Sequence, residues 1–170
     1  MKDIFKEQII KRAPTMRDTA VKVGLAVGVL LVFIASTMFA GKFAFLLVVG
    51  AGFGAYWCLG RQNIEYEYTV TGDTLDIDII YNRAKRRQVF SGVVTDFELM
   101  ANVLDQSHTH DFDSAQETRD YSAGTGTGQR YAFLAQYKNR RVKVIIEPDD
   151  SLLEAFSSLL TPRKFFRYKQ

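Results

Sequence analysis

The sequence predicts an α+β protein in which a hairpin of two membrane-spanning helices precedes an antiparallel β domain ending in an amphipathic helix. Three observations carry this prediction. Val23 to Gly41 and Phe43 to Gly60 contain no charged residue and are separated only by Lys42, and about 20 apolar residues at 1.5 Å each cross a bilayer core. From Asn63 onward the apolar period changes to two, as in half-buried strands. After Pro148 it changes again, with Leu152, Leu153, Phe156, Leu159 and Leu160 tracing one helical face.

Charge is distributed as unevenly as hydropathy. The 170 residues carry a net charge of +3, but residues 1–61 hold eight Lys/Arg against three Asp/Glu, whereas 62–170 hold fourteen against sixteen. A domain with that mild acidic excess is a poor polyanion binder, so nucleic acid is not an expected partner. The single cysteine, Cys58, sits inside an apolar run, where nothing would stabilise a thiolate nucleophile and no internal disulfide can form.

Residues 1–14 are expected to be an amphipathic leader. KDIFKEQIIKR places Ile4, Phe5, Gln8 and Ile9 on neighbouring helical turns among charges, which suits a short helix on the inner leaflet. Pro14 ends it, and Thr15 followed by Asp18 reads as a capping box for the first span. A long leader containing Asp3, Glu7 and Asp18, followed by a second span, is unlike a cleavable signal peptide, so the segment is expected to remain in the mature protein.

The helical hairpin is expected over 15–61, with spans at about 23–41 and 43–60. Within it FAFLLVVGAGFGAY, Phe43 to Tyr56, satisfies the relaxed G-x-G-x-x-[GA] pattern of a dinucleotide-binding turn. The context excludes that reading. Strand alternation resumes at Ile64, leaving no room for the amphipathic helix such a turn must open, and the apolar letters continue as AYWCLG. Gly24 and Gly28, with Gly50 and Gly54, instead form two G-x-x-x-G pairs at similar depth, suited to close packing within the hairpin or between chains. Lys2, Lys6, Lys11, Arg12, Arg17 and Lys22 precede the first span and Arg61 follows the second, so both termini are expected in the cytoplasm, with Tyr56 and Trp57 near the inner interface.

The remaining residues, 62–170, are expected to form a cytoplasmic β domain able to fold alone. Ile64 to Val70 and Leu75 to Tyr81 alternate around a turn at Gly72 and Asp73; Arg86 to Ser91 and Val94 to Met100 flank Gly92; Tyr131 to Tyr137 and Arg141 to Glu147 flank Lys138, Asn139 and Arg140. Six strands result, with a thirty-residue loop over 101–130 and a C-terminal helix over 150–160 that Asp149 or Asp150 can cap. Consecutive hairpins closed by one C-terminal helix follow the order of a pleckstrin-homology-like (PH-like) antiparallel β barrel.

Several phrases make the resemblance more specific: DIFKEQIIKR, the two spans, GFGAYW before NIEYEYTVTGDTLDID, DYSAG, VIIEPDDSLLEAF and TPRKFF. Over nearly its whole length the chain resembles a family of uncharacterised small two-span membrane proteins of clostridia-like bacteria, a domain of unknown function with a PH-like cytoplasmic domain. The resemblance implies a membrane-tethered interaction module and brings no catalytic residue and no cofactor with it.

Candidate sites divide into weak and stronger signals. H-T-H-D-F-D, with His108, His110, Asp111 and Asp113, contains metal-ligating types, but no Glu-x-x-His helix or cysteine pair supports a metal site. GTGTG, Gly124 to Gly128, lacks the Lys-[Ser/Thr] ending of a phosphate cradle. No serine, histidine and acid stand in a known catalytic spacing, so an enzyme is not expected. Glu65, Glu67, Asp76 and Asp78 are read as solubilising charges on the outer faces of two strands. Three basic clusters remain: Arg83, Lys85, Arg86 and Arg87; Lys138, Arg140, Arg141 and Lys143; and the tail RKFFRYK. The tail, Arg163, Lys164, Phe165, Phe166, Arg167, Tyr168 and Lys169, interleaves cations with aromatics and is the preferred contact for anionic lipid or a protein partner. The expected function is a non-enzymatic interaction module at the inner leaflet, its partners membrane lipids and an unidentified protein, with a homo-oligomer possible; the alternative is an oligomerising accessory subunit of a transport or channel complex.

Overall fold

A computed structural model of the protein describes residues 4–124 and 129–167. The chain divides into two compact units: Met1–Arg12, Glu65–Ile80 and Arg86–Gln170 form one, and Ala13–Ile64 with Tyr81–Lys85 the other.

The helical unit contains α1 (Met16–Phe39) and α2 (Ala44–Gly60), joined through a 3-10 turn at Gly41–Phe43. The expected capping box starts α1. The Thr15 hydroxyl accepts from the Asp18 amide at 3.3 Å, and the Asp18 carboxylate accepts from the Thr15 amide at 2.8 Å, an arrangement worth about 1 kcal/mol. The helix thus begins about two turns before the uncharged run. Gly41 adopts φ +51°, which opens the turn between the helices. α1 and the continuous Gly41–Gly60 stretch made of the 3-10 turn and α2, with mean hydropathies of 2.2 and 1.8, are long and apolar enough to cross a membrane. The two helices pack on one another, and the stripe they withdraw from the surface runs through Leu25, Val29 and Ser36 on α1 and Ala44, Val48, Ala51 and Ala55 on α2. Their three- and four-residue spacing is that of a coiled-coil seam. Ser36 satisfies its hydroxyl on the Phe33 carbonyl at 2.9 Å.

The β unit is built from two sheets. The first has the order β1-β2-β3-β4, from β1 (Phe5–Lys11), β2 (Ile64–Thr71), β3 (Thr74–Tyr81) and β4 (Lys85–Val93). The second has the order β6-β8-β7-β5-β9, from β5 (Leu99–Asn102), β6 (Glu117–Asp120), β7 (Tyr131–Tyr137), β8 (Arg140–Ile146) and β9 (Phe165–Phe166). Among the described residues the strands form two sheets and not one closed barrel.

The leader is a strand and not a helix. β1 pairs antiparallel with β2 from Phe5↔Thr71 to Lys11↔Glu65, so the β domain begins before the hairpin and not at residue 62. IFKEQIIK fits a helix and an edge strand about equally by period; long-range bonds decide between them. Gln8 donates to the Glu147 carbonyl at 3.2 Å and accepts from the Asp149 amide at 2.8 Å, tying β1 to the start of the C-terminal helix α4 (Asp150–Leu159).

Two of the three expected hairpins, β2–β3 and β7–β8, are present with adjusted ends; the one expected about Gly92 is not, because β4 and β5 lie in different sheets. Gly72 takes φ +62°, and Lys138 and Asn139 both take positive φ, 51° and 61°, as a two-residue hairpin turn requires. At Gly92 no strand break occurs. β4 runs through it to Val93 because a Cβ there would stand 3.0 Å from the Phe90 ring, so glycine permits close approach and supplies no turn. A 3-10 turn at Val94–Asp96 then leads to β5.

The expected loop over 101–130 is largely structured. It contains the end of β5, a 3-10 turn at Gln106–His108, the short helix α3 (Thr109–Asp113), and β6, which pairs parallel with β8. Phe112 anchors α3 in a cluster with Leu99, Ala101, Ala132, Leu134 and Ile145, so the second sheet is covered on this face. Its other face meets the main core, where Phe97 stacks on Phe133 at 4.2 Å and Phe90 meets Phe133 edge-on at 5.4 Å. α4 closes that core with Leu152, Leu153 and Phe156, its first turn capped by the Asp149 carboxylate accepting from the Leu152 amide at 2.8 Å.

Candidate functional site

The described part of the tail is integrated in the second sheet; Tyr168 and Lys169 lie outside the described residues. Phe165 and Phe166 form β9 in parallel register with Met100 and Ala101 of β5, and the Met100 amide donates to the Lys164 carbonyl at 2.7 Å. Strand periodicity sends the two rings to opposite faces. Phe165 stacks near Tyr131, centroids 6.1 Å apart, while Phe166 meets the His108 ring at 4.1 Å. The fine alternation that resembled an amphipathic surface is, over Phe165 and Phe166, a short strand with a half-buried ring on each face. Lys164 donates to the Thr95 carbonyl at 2.9 Å and Arg167 to Asp150 at 3.2 Å. Arg163 and Arg167 keep exposed side chains.

The other basic clusters also separate. Lys143 lies over the Phe112 ring at 4.9 Å, Lys138 over Tyr137 at 5.2 Å, and Arg141 pairs with Glu98 at 2.5 Å. Arg86 pairs with Glu67 at 2.5 Å. Arg83 and Lys85 belong to the β3–β4 turn, which groups with the helices. In that turn the Asn82 amide donates to the Asn63 carbonyl at 2.8 Å, and a Cβ placed on Gly60 would lie 3.4 Å from the Asn82 amide nitrogen Nδ2. At the C-cap of α2, the Arg61 guanidinium sits 3.7 Å over the ring of Trp57, one turn back in the helix.

The glycine pairs do not bring the two helices together. A Cβ at Gly24, Gly28, Gly50 or Gly54 would meet nothing within 4 Å. The contact inside the hairpin uses the alanine and Ser36 stripe, so the expectation of close glycine packing within one hairpin is corrected; both glycine pairs lie on outward surface.

The outer-face acids are not simply solvated. Glu65 and Glu67 are buried, Glu67 with only 4% of its surface exposed. Burial raises the Glu67 carboxyl above its usual range; Arg86 opposes that shift, and Glu7 and Asp78 add to it. The sequence reads these acids as solvated, but Glu67 is paired with Arg86 and lies near Glu7 of the neighbouring strand β1.

His108 and Asp111 form a local pair at 3.2 Å that closes the first turn of α3. Among the described residues no three metal-ligating side chains gather. Of the Gly124 to Gly128 run, residues 125–128 lie outside the described residues. Sequence reasoning missed the role of Tyr68, whose hydroxyl donates to the Tyr121 carbonyl at 2.5 Å and accepts from the Glu147 amide at 3.3 Å; burial pushes its pKa up. It also missed an open groove of about 420 Å³ between β1 and α4, lined by Ile4, Lys6, Ser151, Glu154 and Ser158. An amphipathic strand and a buried tyrosine carry no letter pattern of their own, and only the β1–β2 ladder would have revealed the groove.

A search of curated proteins finds no match to the chain. A family model described as a bacterial PH-like domain (DUF6106) matches residues 2–167, taking in the leader strand, both helices and the two sheets. Strand β1, the inserted helices and the α4-closed sheets are thus parts of one family unit, and the chain belongs to the DUF6106 family of bacterial PH-like domains.

Proposed function

We propose that the protein is a non-enzymatic, membrane-anchored interaction module. Its helical hairpin crosses the cell membrane twice, and its PH-like domain binds a protein partner or anionic headgroups at the inner leaflet. One observation carries the reading: the hairpin is inserted between two strands that pair with each other. Because Lys11 and Glu65 are register partners, both ends of the insertion return to one place. An antiparallel ladder flanking two spans supports both ends lying on one side of the membrane, and Arg17, Lys22 and Arg61 at those ends against Lys42 at the turn make that side cytoplasmic. PH-like folds commonly serve as binding modules, which supports interaction over chemistry.

The test uses the full chain in a Cys58→Ser background. After alkaline carbonate washing the protein stays with the membrane, and an impermeant thiol reagent on intact cells labels Lys42→Cys but not Lys138→Cys. Release by carbonate, or labelling of position 138 alone, overturns the proposal. A second reading, an oligomerising accessory subunit, is favoured by the outward glycine pairs, which leave room for another helix to approach.

A further inference from the structure

We propose that the β3–β4 turn, through Arg83 and Lys85, acts with Arg61 at the end of α2 as a binding surface for the phosphate groups of anionic lipids. The inference rests on the membrane-anchored reading and assigns the leaflet contact to this turn and not to the C-terminal tail.

Position is the first argument. The Tyr81–Lys85 turn groups with the helices and is fastened to the end of α2 by the bond from the Asn82 amide to the Asn63 carbonyl. Its cations therefore belong to the same end of the hairpin as Arg61 and Trp57. A Trp at that depth anchors in the headgroup region, and an Arg over its face is held there.

Charge is the second. In the unit made of Ala13–Ile64 and Tyr81–Lys85, Asp18 is the one acidic residue, and its carboxylate serves the Thr15 cap. Arg17 and Lys22 in the first turns of α1, with Arg61, Arg83 and Lys85, place five cations at that end. Phosphodiesters complement this excess, and guanidinium groups bind their oxygens in a bidentate fashion.

The tail offers less: both of its described aromatics are spent on packing.

The experiment reconstitutes the full chain into nanodiscs of phosphatidylcholine with phosphatidylglycerol and counts lipids that stay bound on release, by native mass spectrometry. Wild-type protein retains phosphatidylglycerol in excess of its share. The Arg83→Gln/Lys85→Gln variant loses that enrichment by about twofold or more, since each cation near an anionic surface contributes measurably. Arg163→Gln/Arg167→Gln keeps it, and the charge-preserving Arg83→Lys/Lys85→Arg variant keeps most of it. Equal enrichment in wild type and the Gln turn variant overturns the inference, as does equal loss in the charge-preserving variant. Carbonate washing separates the two levels: a chain that stays membrane-bound but shows no enrichment sinks this inference alone, whereas a chain that is released sinks the anchoring with it.

Discussion

Strand β1 is separated from the rest of its unit in sequence by the hairpin, so its contribution can be measured by two soluble proteins. In the first, Arg12 to Ile64 is replaced by Asn-Gly, joining the register partners Lys11 and Glu65 through a two-residue turn of the favoured type. In the second the chain starts at residue 62 and lacks β1. The backbone ladder contributes little net, because about 1 kcal/mol per bond is offset by 1–2 kcal/mol of ordering per residue. Side chains decide. The two Gln8 bonds to Glu147 and Asp149 are worth about 1 kcal/mol each. Half-burial of Ile4 and Ile10 adds about 1 kcal/mol each, half the value of a fully buried aliphatic chain. The total of about 4 kcal/mol is a large part of the ~5–15 kcal/mol available to a domain. Urea denaturation followed by tyrosine fluorescence and circular dichroism is expected to place the β1-containing protein's midpoint higher by about 2 M. Coincident midpoints would refute the assignment of β1 as an integral strand.

Phe165→Ala and Phe166→Ala are each expected to lower stability by about 1–3 kcal/mol, less than for a fully buried ring, while Arg163→Gln changes it by no more than about 0.5 kcal/mol; thermal melts of the joined soluble domain decide. Glu67, with its carboxyl raised by burial, binds its proton more tightly folded than unfolded. Its ionisation therefore costs stability as pH rises from the ordinary carboxyl range through the raised value, and Glu67→Gln removes that downward component from urea midpoints measured between pH 4 and 7. An unchanged pH slope would contradict it. Gly28→Leu with Gly54→Leu is expected to leave the hairpin intact, because both positions open on empty space, and to reduce disulfide cross-linking between neighbouring chains in membranes; undiminished cross-linking would exclude those faces as contacts.

Much of the fold was legible because its signals are local. The cap at Thr15, the turns at Gly72 and Lys138–Asn139, and the apolar face of α4 are each decided by residues within a few positions. The losses are long-range. β1 finds its partner across the whole hairpin, β6 is a four-residue polar strand paired in parallel, and β9 has two residues. None has enough alternation to declare itself. The glycine pairs were legible as motifs but not as contacts, since the seam formed through Ala44, Ala51 and Ala55 instead. At the candidate site the letters identified the basic turns, yet which one lies at the end of α2 depends on the bond between Asn63 and Asn82.

The split position of β1 imposes an order of events during synthesis. β1 leaves the ribosome before its partner strand, since Glu65 appears only after residues 12–64 have been made, roughly 3–10 s later at ordinary elongation rates. Throughout that interval the nascent strand has an unsatisfied edge. Two spans entering the bilayer side by side collapse the intervening loop and lower the entropy of bringing Lys11 back to Glu65. On the proposed anchoring, membrane insertion therefore acts as an assembly checkpoint: the domain's first sheet is completed most readily by a chain whose helices have already folded back on themselves.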